Sequence, residues 1–304
     1  MGRSVIFGLV ITLMCVCLGF SQRASDQYPV RFGLYEFSLN TINPAHIGSG
    51  SQAAVSSGYQ GYSGLRKNIR TFYVEGFTQL SVKKNKPIKH FVGLTMYSDR
   101  EGDFIRRSRG YVNYALLLPI SDKWKAAAGG SLGAVNYAVA SSQYRPGGSS
   151  FVFDGNAGIQ LSDDKNSIGV AINQLFDQVL QPLRFQVTLQ RHFNFYYTRI
   201  FELSEKLDLL GLPWVRWVED NSLVGLSGTL VYKEQIQFGL NYAHQSTMTT
   251  SLGVKNVSLQ NMGLFDFALG FHIPVGYQGK LNSQQYEIAL YYHVQNKPDE
   301  VVTK

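Results

Sequence analysis

The chain has 304 residues, of which 44% are hydrophobic, 13% aromatic and only 16% charged, with a formal net charge of +7. That is one domain's worth of chain, or two small ones, and the composition excludes a disordered polymer and a coiled coil. Beyond the first two dozen residues no run reaches the roughly 18 consecutive apolar residues of a spanning helix, which excludes a helical membrane protein but not a membrane β-barrel, whose signal lies in alternation.

Residues 1–21 read as a secretory signal peptide. Arg3 precedes the apolar run Val5 to Phe20, and small and polar residues at Gly19, Ser21 and Gln22 place the cut before Gln22. Both cysteines, Cys15 and Cys17, lie in this leader, so the exported chain is expected to have neither a disulfide framework nor a thiolate metal site. Loss of Arg3 lowers the formal charge from +7 to +6. An excess this small, spread along the chain, suits anionic lipid or an acidic partner and is no nucleic-acid footprint.

Residues 22–52 do not alternate and are rich in turn formers. Asn43-Pro44 initiates a turn, Pro44 removes a backbone donor, and Gly48 and Gly50 permit positive φ. Such a segment cannot be a lipid-facing strand. It is either a plug, with its backbone satisfied by a polar lumen, or a periplasmic lead-in.

From residue 53 to residue 295 apolar and polar residues alternate in runs of about ten. The period of two predicts strands at 53–59, 70–82, 89–98, 109–119, 123–139, 151–162, 166–173, 184–202, 206–218, 222–232, 236–245, 250–259, 263–273 and 284–294. In the run near the end, Phe265, Phe267, Leu269, Phe271 and Ile273 oppose Asp266, Ala268, Gly270 and His272. The polar face is mostly Gln, Asn, Ser, Thr, Gly and Ala, which suits a packed lumen better than the charged outer face of a β-sandwich. No period of 20 to 50 residues repeats, against a solenoid. Tight turns at 121–123, 162–166, 203–206 and 233–235 alternate with longer loops at 60–69, 99–108, 140–150 and 274–283, the pattern of an outer-membrane barrel with short periplasmic turns. Tyr196-Tyr197 and Tyr291-Tyr292 are expected in the aromatic girdles. The fold class expected is therefore all-β, a transmembrane antiparallel barrel of about 14 strands with an N-terminal plug, followed by a periplasmic tail at 296–304.

The search for chemistry returns no enzyme. His46, His90, His192, His244, His272 and His293 lack the spacing of metal ligands or of a nucleophile pair, and no G-x-S-x-G occurs; no catalytic residue, cofactor or metal is expected. Three features suit contact instead. Arg100, Arg106, Arg107 and Arg109, with Glu101 and Asp103, crowd one outer loop around Phe104 and Ile105, fit to dock a secreted partner or to bind lipopolysaccharide phosphates. Lys83, Lys84, Lys86 and Lys89 form a basic periplasmic turn. The run from Asn173 through Leu175 and Phe176 to Leu183 breaks the alternation and is expected to form a short helix narrowing the pore mouth.

The segment Asn40-Thr41-Ile42-Asn43-Pro44-Ala45-His46-Ile47-Gly48-Ser49 resembles the opening of the PorP/SprF family, outer-membrane proteins tied to type IX secretion and gliding motility in Bacteroidota. Leu118-Pro119 running to Lys123, and Arg191-His192-Phe193 leading to Glu202-Leu203-Ser204-Glu205-Lys206, are similar to further stretches of that family, which usually has an aromatic where His46 stands. The resemblance implies an outer-membrane accessory of type IX secretion that docks, and helps to export or retain, an adhesin-like surface protein, with other secretion components as partners and no nucleic acid. The N-P-A also resembles the hatch of fatty-acid-transporter barrels, which implies that Asn43, Pro44, Ala45 and Gly48 belong to a plug. The rival expectation, from barrel and hatch alone, is a transporter of small hydrophobic molecules.

Overall fold

The computed structural model describes residues 32–46, 51–80, 88–143, 146–218, 222–244, 247–258, 263–275 and 284–295. The expected leader, Gly48, the basic turn residues Lys83, Lys84 and Lys86, and the tail at 296–304 lie outside these. The strands are β1 (Ser51–Tyr62), β2 (Arg70–Leu80), β3 (Lys89–Glu101), β4 (Ile105–Pro119), β5 (Lys125–Val139), β6 (Gly148–Ser162), β7 (Asn166–Asn173), β8 (Val179–Leu180), β9 (Val187–Thr188), β10 (His192–Ser204), β11 (Leu207–Trp217), β12 (Leu223–Tyr232), β13 (Ile236–Ala243), β14 (Thr247–Ser258), β15 (Leu264–Pro274) and β16 (Gln285–Gln295).

Fourteen of these close into one antiparallel barrel, and β8 and β9 form a separate small hairpin. Each barrel strand pairs with its neighbour in the chain, β7 pairing with β10 across the hairpin. The ring is sealed by β1 against β16, from Ser51 opposite Gln295 to Tyr62 opposite Gln285. Closure leaves no free edge, the condition for strands in hydrocarbon, where an unpaired N–H or C=O has no water to turn to. Among the described residues no helix is long and apolar enough to cross a membrane.

The alternation sorts side chains as expected. Val112, Leu132, Phe153, Leu252 and Phe271 are at least 60% exposed on the outside, where lipid would cover them. Their neighbours Glu75, Asp154, Gln237, Thr249, Asp266 and Ala268 are buried inside. The barrel is thus apolar outside and polar within, the reverse of a soluble domain.

Three expectations are corrected. The predicted loop at 99–108 is a hairpin whose strands run to Glu101 and resume at Ile105, with Gly102 at φ +70° in the turn, where a side chain would be strained. The strands extend because inward-facing Arg107 pairs with Asp99 at 3.4 Å and with Glu101, so charge belongs there to the wall. The predicted strand 184–202 begins at His192; its first part belongs to the β8–β9 hairpin, which replaces the short helix expected after Asn173. Tyr196 is no girdle residue, being 3% exposed in the lumen, and Tyr291 also lines the interior. Adjacent residues of a strand point to opposite faces, so a Tyr-Tyr pair puts only one ring toward lipid.

Because the ring is closed, unboiled protein should migrate differently from boiled protein in detergent gels. Leu252→Arg should lower assembly by about 2–4 kcal/mol, the cost of an arginine at the lipid midplane, whereas Thr198→Arg, which points into a lumenal cavity, should assemble normally. Gel-shift assays of refolding read both.

Candidate functional site

Residues 32–46 enter the barrel and fill it. The segment runs through a 3₁₀ turn, Tyr35–Phe37, into one helical turn, α1 (Leu39–Ile42). Two anchors hold it. At the first, Glu287 on β16 accepts the backbone N–H groups of Gly33 at 2.6 Å and Leu34 at 3.0 Å. The same carboxylate meets His272 Nε2 at 3.0 Å, and His272 Nδ1 meets Thr249 Oγ1 at 3.0 Å. Asn241 donates to the Gly33 carbonyl at 2.7 Å. A hydroxyl, an imidazole and a carboxylate in line are the parts of a nucleophile relay, but here all three are buried and the carboxylate is engaged by the plug.

The second anchor is the Asn43-Pro44-Ala45 turn. The Asn43 side-chain oxygen accepts the N–H of Ala45 at 2.9 Å, and the His46 N–H donates to the Asn43 carbonyl at 2.9 Å, the local bonding that makes Asn a turn initiator. The Asn43 amide donates to the Ile159 carbonyl at 3.1 Å and to the Tyr196 hydroxyl at 3.2 Å. Tyr196 in turn donates to Gln160 at 2.9 Å, and Gln160 also meets His46 Nδ1 at 3.0 Å. The turn rests on Gly129 and Gly158, which face each other across β5 and β6; a methyl group at either would run into Pro44 or Asn43. Here glycine serves close backbone approach.

Between the anchors the plug packs its apolar side chains against the wall. Tyr35 stacks on Trp214 with ring centroids 5.3 Å apart and planes 14° from parallel, and Leu39 and Ile42 join Tyr196, Leu212 and Ala243. Leu34 and Phe37 lie on Ala268 and Ala289, and Ala45 on Phe91, Ala115 and Ala127. The Phe37 carbonyl accepts from Ser56 at 2.8 Å and Tyr73 at 3.0 Å. Of the expected plug residues, Asn43, Pro44 and Ala45 are therefore brought together.

Each end of the lumen has its own features. On the side of the short turns a cavity of about 340 Å³ opens beneath the plug, lined by Glu36, Asp163, Asp164, Lys165, Lys255 and Asp266 among others. At the other end the β8–β9 hairpin turns inward, burying Leu180, Val187 and Leu189 against Tyr111, Val135 and Tyr137. Leu175 bonds through its N–H to the Gly155 carbonyl at 3.0 Å, Asn173 is buried in the lumen, and Phe176 is 46% exposed. The expected docking residues separate. Phe104 and Arg106 are exposed, Arg100 and Arg106 share the outward face of β3 and β4, and Arg107 and Arg109 face inward and are buried. Lys89 opens β3. Among the described residues no group of three or more His, Cys, Asp or Glu stands close enough to hold a metal ion.

The family profile described as "Type IX secretion system membrane protein PorP/SprF" matches residues 24–292. The chain belongs to the PorP/SprF family. It is an outer-membrane β-barrel of the type IX secretion system. None of the curated proteins compared matches it. Among solved structures it is similar to the toluene transporter TbuX of Ralstonia pickettii, with 12% identity and TM-score 0.54 over 84% of this chain and 93% of that one. It is also similar to the CymD monoaromatic hydrocarbon channel, with 11% identity and TM-score 0.54 over 86% and 93%. The TodX ΔS2S3 monoaromatic hydrocarbon channel shares 10% identity, TM-score 0.54, over 91% and 97%. At such identities the likeness is one of fold.

Sequence reading missed the Glu287 clamp. The signal was a carboxylate on the inward face of the last strand, two positions from Ala289, but its partners are 253 and 254 residues away.

Two outcomes follow for PorP/SprF proteins of this kind. Glu287→Ala removes an acceptor from two buried N–H groups and should weaken plug docking by about 3 kcal/mol, since bonds to a charged group contribute roughly 1.5–3 kcal/mol each; a rise in bilayer conductance with an intact gel shift reads it. Burial drives the His46 imidazole down to about 4 from its ordinary 6.5, with the Gln160 bond acting in the opposite direction. A released plug takes up a proton on His46 where the docked one cannot, so the contribution of His46 to docking is full above pH 6.5 and is lost as the pH falls toward 4, while Glu36, whose carboxyl burial pushes up, contributes in the opposite direction. Relative to His46→Phe, the wild type should therefore gain conductance as the pH falls through that window; equal pH profiles of the two would count against the His46 contribution.

Proposed function

We propose that this barrel works as a closed docking platform: periplasmic turns meet other type IX components, and the outer end meets an adhesin-like surface protein that it helps to export or retain. The observation carrying this reading is the plug, which is bonded to β1, β2, β6, β10, β13 and β16 and occupies the lumen, leaving the two ends as working surfaces. The outer end carries exposed Phe104, Phe176, Val179 and Phe185, apolar side chains beside arginines, a composition suited to protein contact. No catalytic step and no cofactor enter this role; the hydroxyl, imidazole and carboxylate of Thr249, His272 and Glu287 serve as a clamp. Membership in a family connected with gliding extends the proposal to a gliding adhesin as the partner.

A second reading, passage of small hydrophobic molecules, draws on the fold likeness to hydrocarbon transporters. The cavity beneath the plug supports it only in part, because Glu36, Asp163, Asp164, Lys165, Lys255 and Asp266 share its lining with Phe37, Leu39, Ile200, Leu210 and Leu212, whereas sites for apolar ligands carry few charges.

The test is a comparison of surface proteins in cells carrying Phe176→Ser with Phe185→Ser, both in the hairpin region 174–191, at unchanged barrel level. Loss of one surface protein is expected; an unchanged profile, together with altered uptake of an aromatic hydrocarbon, would favour the second reading.

A further inference from the structure

The outward face of β2, β3 and β4 carries an arrangement that protein docking at the barrel's end does not explain. Arg70 stands directly opposite Arg100, and Arg100 directly opposite Arg106. All three point away from the lumen, because the flanking Thr71, Asp99 and Arg107 point into it and bond to one another there. With strands about 4.8 Å apart, the backbone positions of the three arginines span about 10 Å. Like charges directly opposite on neighbouring strands repel. Among the described residues no carboxylate is within 4 Å of any of the three, and Asp103 in the adjoining turn is engaged by Asn68 at 2.7 Å. Lys67, exposed in the neighbouring turn, adds to the positive field.

What lies beneath the row specifies the anion's source. The register continues the row with Gly61 on one side and Ala138 on the other, small residues at both ends, while the Arg100 Nε between them is buried without a hydrogen-bond partner. Two positions lower on the same face stand Ser98, Ser108 and Asn136, in register with one another. Below them come Met96 and then Leu94, Val112 and Leu132, each 44% to 66% exposed. Guanidinium, then hydroxyl and amide, then aliphatic side chain is the vertical order of phosphate, sugar or glycerol, and acyl chain in a lipid. The row is at the end of the barrel where β1 finishes and β16 begins, opposite the short turns, which is the outer-leaflet side of a barrel whose short turns are periplasmic.

We propose that Arg70, Arg100 and Arg106 bind the phosphate of an outer-leaflet lipid headgroup, with Ser98, Ser108 and Asn136 contacting the part of the headgroup below it. Guanidinium groups match phosphate in planar, two-point fashion, and the anion relieves the repulsion within the row.

The full chain, folded in detergent, is incubated with phosphorylated lipid A, with the same lipid stripped of its phosphates, or with inorganic phosphate, and retained lipid is counted by native mass spectrometry. The wild type is expected to retain the phosphorylated lipid about tenfold over the stripped form. The triple variant Arg70→Gln, Arg100→Gln, Arg106→Gln should lose that preference, whereas Arg199→Gln, an outward arginine at the opposite end, should keep it. Should the triple variant lack the gel shift of a folded barrel, Arg100→Gln alone, expected to lower the preference about threefold, decides. Equal retention of both lipids by the wild type, an undiminished preference in the folded variant, or complete displacement by millimolar inorganic phosphate would overturn the assignment.

Discussion

In hydrocarbon a strand has no water to satisfy its backbone, and this chain meets that constraint by sealing β1 against β16 over the length of β1. Closure fixes almost everything else. It forces every side chain to choose between lipid and lumen, so a lipid-facing Leu252 and a lumenal Thr249 follow from position alone. It also creates an interior that must be filled, because a ring of fourteen strands is wider than its own side chains can occupy.

The plug supplies that filling, and its energetics differ from those of a soluble core. Few apolar side chains are available inside, so Tyr35, Leu39 and Ile42 find only local clusters, and much of the docking falls to hydrogen bonds with buried polar groups. A carboxylate such as Glu287 earns its place in the interior only because backbone N–H groups and an imidazole surround it. Paired glycines at Gly129 and Gly158 let the turn lie flat against the wall, so the seat and the Asn43-Pro44-Ala45 motif are two halves of one fit.

Much of the fold was legible in the sequence because it depends on a period of two and on turn chemistry, both local. The faces of β13, β15 and β16 follow from alternation without knowledge of any partner. Two kinds of information are not local. Alternation in 184–202 cannot say whether the wall or a separate hairpin takes those residues, and Leu189 satisfies the pattern while packing on Tyr111 and Val135 inside the mouth. The charged stretch around Arg107 reads as a loop because its acids, Asp99 and Glu101, become partners only when β3 and β4 pair. Of the plug, the turn could be read from Asn43-Pro44, but the residues receiving it are scattered from Ser56 to Glu287 and share no motif.

The strands differ in length around the ring. β4, β5 and β6 have 15 residues each, whereas β7 and β13 have 8. At about 3.3 Å per residue and a tilt near 40°, the tall wall stands about 38 Å high and the short one about 20 Å, on either side of the roughly 25 Å apolar band of such barrels. Lipid beside β13 must compress to meet the short wall, while the tall wall projects beyond the headgroups. A barrel shaped in this way thins the bilayer unevenly around its circumference, giving the surrounding membrane a direction and other membrane proteins a preferred side of approach.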